Sequence, residues 1–154
     1  MRSMDCRPPS LKPELSQDAR IVLALVRTSL PFAMCRTQEA ERWLRVLRMH
    51  GHVGAAMQSL GVPEGPLEGA DARPAHGRFE DGRRYDETVA RVCCRALDFA
   101  RQSRAETVGT EHILHAALAV YGWAFDHELY RRGTCRDEVF AELAAEPVAS
   151  FVEA

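Results

Sequence analysis

The stretch at 107–118 reads TVGTEHILHAAL, and how it is taken decides the fold. A threonine, a carboxylate and an imidazole stand in succession at Thr110, Glu111 and His112, directly before an apolar run. That order marks a helix start: Thr110 is a good N-cap, and Glu111 in the first turn complements the positive end of the helix dipole. Together these two features are worth about 1–2 kcal/mol to a helix with no ligand present.

Outward from this segment the same helical period continues. Upstream, YDETVARVCCRALDFARQ puts Val89, Val92, Cys93, Ala96 and Ala100 on one face, with Asp86 available as a cap. Downstream, WAFDHELYRRG and CRDEVFAELAAE read as helices ended by Gly or Pro. Trp123 and Tyr130 stand two helical turns apart, the spacing of a core or groove lining.

Toward the N-terminus, SQDARIVLALVRTSL has Ser16 as N-cap, with Ala19, Val22, Leu23, Val26 and Leu30 on one face and Pro31 as the stop. EAERWLRVLRMH follows, with Trp43, Val46 and Leu47 inward, Arg42, Arg45 and Arg48 toward water, and Gly51 as terminator. VGAAMQSL makes a short helix stopped at Gly61. No segment alternates as a half-buried strand does, so the class is all-α.

Between these groups, residues 63–84 are rich in Gly, Pro and charge and read as a linker. Residues 1–14 and 148–154 read as tails. Two halves, 15–62 and 85–147, then resemble each other. Glu41 and Glu111 each lie near a helix start after an amphipathic helix, 111 − 41 = 70 positions apart, and each precedes a short helix ending in Gly, at Gly61 and Gly133.

The composition narrows the function. Hydrophobic residues are 46% and charged residues 27% with a net charge of −2, which opposes nucleic-acid binding, whose domains are distinctly basic. The longest early apolar run, IVLALV, is too short to cross a membrane, and the expected compartment is the cytoplasm. Five cysteines, Cys6, Cys35, Cys93, Cys94 and Cys135, fit reduced thiols with no zinc knuckle. His112, His115 and His127 lack the three convergent ligands that zinc requires, and no Cys–His pair comes with an aligned base. No catalytic residue, metal or cofactor is therefore expected.

VGTEHILHAAL, the helix before it and the helix ending at Gly133 together resemble the second repeat of the N-terminal domain of the Clp unfoldase ATPases. LSQDARIVLALV, EAERWLRVL and MQSLGV are similar to the first repeat. The resemblance implies a pseudo-twofold bundle of two tandem repeats, about seven or eight helices, that binds proteins and performs no catalysis. The fourth helix of the first repeat falls in the Gly- and Pro-rich linker and is expected to be missing or very short. The chain has no GxxxxGK[ST] loop, so it reads as a free-standing Clp N-type domain without the motor.

The resemblance further implies a module of the Clp chaperone-protease system, acting as adaptor or decoy, with a Clp AAA+ ATPase, its substrates or its adaptors as partners. In some members of that family the motif glutamate of each repeat contacts phosphorylated arginine, which carries over to Glu41 and Glu111, with Thr110 and His112 beside the latter. A carboxylate can grip a guanidinium with two hydrogen bonds, and a phosphate suits the unpaired N–H groups of a helix start. The alternative implied is a protein that sequesters cyclic peptide antibiotics.

Overall fold

Ser16 opens the first helix as its sequence predicts: its Oγ accepts from the Ala19 N–H at 3.0 Å. The structure is a computed structural model that describes residues 13–65 and 82–150. In order, these residues form β1 (Glu14–Leu15), α1 (Gln17–Ser29), a 3₁₀ turn (Leu30–Phe32), α2 (Arg36–Arg48), α3 (Gly51–Ser59), α4 (Gly82–Gln102), β2 (Thr107–Val108), α5 (Thr110–Tyr121), α6 (Trp123–Arg131) and α7 (Arg136–Ser150). The protein is all-α, a bundle of seven helices among the described residues, with one short parallel pairing of β1 to β2.

The predicted faces are the buried ones. Ala19, Val22, Leu23, Val26 and Leu30 line the core from the first helix, and Val89, Val92, Ala96 and Ala100 line it from α4, with Cys93 half-buried beside them. Trp43 and Leu47 are buried from α2, joined by Leu44, while Val46 is partly exposed. The most enclosed element is α5, which packs against α1, α2, α3, α4 and α6 and buries residues on nearly all sides. It is the axle of the bundle, as its almost uninterrupted apolar sequence requires.

Packing between the halves is reciprocal. α2 lies against α6 while α3 lies against α5, and α2 meets α5 between them. The third helix of each half also ends in the same way. At Gly61 (φ +79°) the Val62 N–H reaches the Met57 carbonyl; at Gly133 (φ +88°) the Thr134 N–H reaches that of Leu129. Both are Schellman motifs, in which a residue at positive φ turns the chain back over its last carbonyls. These glycines are 133 − 61 = 72 positions apart.

Several boundaries differ from those read in the sequence. Glu14 is not tail but pairs with Thr107. α2 begins at Arg36, not at the EAER segment, because Gln38 folds back to accept the Met34 N–H at 2.7 Å and closes the first turn early. Gly51 is not a simple terminator: at φ +65° it is the elbow that starts α3. α4 begins at Gly82, inside the expected linker, so Asp86 lies within the helix and does not cap it. α7 runs through Pro147 to Ser150 and does not stop before the proline. The place of the first repeat's fourth helix lies almost wholly outside the described residues.

Cys35, Cys93, Cys94 and Cys135 are unbridged, and Cys6 lies outside the described residues. No helix among the described residues is long and apolar enough to cross a membrane.

Candidate functional site

Thr110, Glu111 and His112 occupy the first turn of α5, yet their roles differ from those their order suggests. The N-cap is Gly109, in extended backbone, and Thr110 is the first helical residue. The threonine still caps a helix, but a different one: its Oγ1 accepts the Val53 N–H at 3.3 Å, closing the start of α3. Thr110 is buried, and the elbow packs onto it so closely that a Cβ at Gly51 would come 2.7 Å from its Oγ1. Asp18 of α1 approaches the same point, 3.3 Å from that Cβ position.

His112 takes the reciprocal part in the cap of α5. Its Nδ1 accepts the Gly109 N–H at 2.9 Å, which leaves the proton on Nε2, facing the Ser103 hydroxyl at 3.5 Å. The ring is buried, so the imidazole is a structural acceptor at the helix start.

Glu111 is the exception. It is half-buried and makes no hydrogen bond or ion pair with any described residue. Its carboxylate folds toward Gly109, where a Cβ would stand 2.9 Å from Oε1. The backbone N–H groups of Thr110 and Glu111 precede the first intrahelical donor, since His112 N and Ile113 N both go to the Gly109 carbonyl. An accessible carboxylate thus stands beside the donor end of a helix.

Glu41 has the opposite environment. As the sixth residue of α2 it sits a turn deeper than Glu111 does in α5, so the separation of 70 compares positions in different turns. Its Oε1 takes Arg42 Nη1 at 2.6 Å and Arg45 Nη2 at 3.3 Å, and its Oε2 takes Arg45 Nε at 2.9 Å and Arg132 Nη2 at 3.0 Å. Three guanidinium groups fill its acceptor positions, so an incoming guanidinium would have to displace one. Arg42 and Arg45 are therefore not a freely solvated face, and Arg48 is also held, through Nε to the Val62 carbonyl at 2.8 Å.

Arg132, absent from the reading of the sequence, ties this cluster together. It is buried, donates to the carbonyls of Pro63 (3.2 Å) and Gly65 (2.9 Å) as well as to Glu41, and its Nε finds no acceptor among the described residues. Burial pushes its pKa down, against the pull of Glu41 and Glu128. Helical spacing is the signal that could have found it: Arg132 continues the stripe of Phe125, Glu128 and Leu129 at three- and four-residue steps, while Arg131 falls on the wetter side.

A second buried network joins the start of α2 to the end of α5. Trp43 Nε1 donates to the Tyr121 hydroxyl at 3.1 Å, and the hydroxyl donates to Glu39 Oε1 at 2.9 Å. Burial and the Glu39 carboxylate raise the Tyr121 pKa. Arg36 lies over the Tyr121 ring, 5.1 Å from its centroid, and donates to the Val120 carbonyl at 2.7 Å. Tyr121 continues the helical stripe of Leu114 and Leu118, a sequence signal for burial that also demands a partner for its hydroxyl.

The remaining histidines are engaged as aromatic rings. His115 stacks on Phe140 of α7 at 4.3 Å between centroids and meets Phe99 of α4 at 5.2 Å. His127 stacks on Trp123 at 5.0 Å. No group of three or more His, Cys, Asp or Glu among the described residues is arranged to hold a metal ion. Trp123 and Tyr130 do not line the core: they are 68% and 77% exposed on α6, against the expectation from their spacing. The α6 face turned to α2 is instead built by Ala124, Phe125, Glu128 and Leu129.

Compared with models of known protein families the chain matches none, and a comparison with curated proteins also finds no match.

Proposed function

We propose that the chain is a non-catalytic protein- or peptide-binding module akin to the N-terminal domain of the Clp ATPases, recognising Clp substrates or partners as adaptor or decoy, with phosphorylated arginine as the mark it reads. The observation that carries this reading is Glu111: a half-buried carboxylate with no hydrogen bond or ion pair to any described residue, beside the N–H groups that open α5. A guanidinium fits the carboxylate and a phosphoryl group fits the helix start. Thr110 and His112 support the site from behind, since their polar atoms are committed to Val53 and Gly109. Glu41 contributes to the bundle and not to the ligand, its oxygens being taken by Arg42, Arg45 and Arg132.

The test is calorimetric titration with free phosphoarginine, with arginine as control, on the wild type and on Glu111→Ala. Binding of the phosphorylated form that disappears in the variant supports the reading. No heat from the wild type, or equal heat from the variant, removes it.

A second reading, sequestration of a cyclic peptide antibiotic, draws on the exposed Phe32, Trp123 and Tyr130. A bound compound at about 100 times its dissociation constant would add about 2.7 kcal/mol of stability, visible as a thermal shift.

A further inference from the structure

Of Arg42, Arg45 and Arg48 on α2, Arg48 alone does not join the Glu41 cluster, and it borders a cleft. The cleft, about 330 Å³, lies at the elbow between α2 and α3, where Arg48, His50, Gln58 and Glu64 bring polar groups together and Met49 stands on the rim. Gly51, Gly54 and Ala55 of α3 also line it. Gly54 is required there, because a Cβ would come 2.8 Å from the Arg48 carbonyl.

Arg48 is oriented before any ligand arrives. Its side chain is 11% exposed, and the bond from Nε to the Val62 carbonyl fixes the plane of the guanidinium. Its only carboxylate neighbour among the described residues is Glu64, at 3.7 Å from Nη2, too long for a charge-assisted hydrogen bond, and Glu64 is 59% exposed. The guanidinium thus has a carboxylate near it but not docked on it. A free carboxylate placed in the cleft can make the short paired bonds that Glu64 does not.

We propose that this cleft binds the C-terminal carboxylate of a peptide: Arg48 takes the carboxylate, Gln58 bonds a peptide group farther along the α3 face, and Met49 covers the last side chain. Glu64 competes for Arg48 and weakens the site when no peptide is present. The proposal is independent of Glu111 and of phosphoarginine, since it uses different side chains and a different chemical group.

The experiment follows backbone amide shifts of His50, Gly51, Gly54 and Ala55 by NMR while titrating N-acetyl-trialanine with a free carboxylate, and separately its C-terminal amide. The free acid should move these signals saturably and the amide should not. Glu64→Gln, an exposed substitution, should tighten the acid, and Arg48→Lys should weaken it by roughly tenfold or more through loss of the paired bonds. Equal response to acid and amide, no response to either, or weaker binding in Glu64→Gln would overturn the proposal. Shifts produced by inorganic phosphate with the peptide acid inert would overturn it as well.

Discussion

Replacing Glu41 with alanine should be among the most damaging single changes in this chain, and the size of the loss can be worked from its three partners. Arg42 and Arg45 keep 20% and 31% of their side-chain surface exposed, so water replaces much of what they lose. Among the described residues, Arg132 is 1% exposed, its Nε already lacks an acceptor, and its Nη2 would lose Glu41 with only the Pro63 and Gly65 carbonyls left on Nη1. An uncompensated buried charge of this kind costs about 3–5 kcal/mol. The low end applies because those carbonyls and Glu128 remain, so about 3 kcal/mol is expected. For a chain of this length that is a fall of roughly 6–12 °C in Tm. Urea denaturation followed by circular dichroism measures it, with Arg45→Ala as control at under about 1 kcal/mol. The double variant Glu41→Ala, Arg132→Met should recover part of the loss, because the Arg132 charge is then no longer left buried without Glu41. A cost below about 1 kcal/mol for Glu41→Ala, or no recovery in the double variant, would refute the view that Glu41 is the counter-ion of Arg132.

Four further outcomes follow from the same contacts. Thr110→Val leaves the Val53 N–H without its acceptor and should cost about 1–3 kcal/mol in denaturant unfolding, while Thr110→Ser keeps most of the stability; a ligand-binding defect in a fully stable Thr110→Val would contradict the capping role. Tyr121→Phe removes the hydroxyl shared by Trp43 and Glu39 and should cost about 1–3 kcal/mol by the same assay, with no loss counting against the network. Gly122 has φ +55° and ψ −124° with no atom of a described residue within 4 Å of a Cβ, so Gly122→Ala tests backbone strain and should cost about 1–3 kcal/mol of thermal stability. The His115 pKa is lowered from about 6.5, first by burial and then by His112 and Arg136, against the pull of Glu111. Its contribution is therefore complete above about 6.5 and lost as pH falls toward the depressed folded value. His115→Phe, which preserves the stack between Phe99 and Phe140, should flatten that part of the stability profile, and an unchanged slope would locate the pH dependence elsewhere.

What the sequence disclosed was what periodicity and turn chemistry encode. The buried faces of α1 and α4, the Ser16 cap and the glycine turns at Gly61 and Gly133 depend on local spacing and backbone angle, and local spacing is visible in a string. The candidate site was legible only in part. Glu111 could be recognised as a first-turn carboxylate, but whether it is ion-paired depends on which arginines the fold brings near, and among the described residues none pairs with it. Glu41 carries the same chemistry in a similar sequence frame, yet Arg132, 91 residues away, turns it into a counter-ion. Thr110 shows the limit most directly. Its type marks a cap correctly, but the helix it caps lies 57 residues upstream, a pairing set by the packing of α3 on α5.

That cross-cap also bears on how a ligand at Glu111 would be held. The residue before Glu111 is bonded to the start of α3 and pressed against Gly51, and the residue after it is bonded back to Gly109, so the backbone at Glu111 is fixed on both sides by atoms it does not supply. The carboxylate is then presented from a rigid turn, with only its own side-chain torsions to order on binding. A buried Thr110 and a buried His112 are therefore compatible with a binding role for Glu111, because the stability they give α3 and α5 is what holds the third side chain of the motif in place.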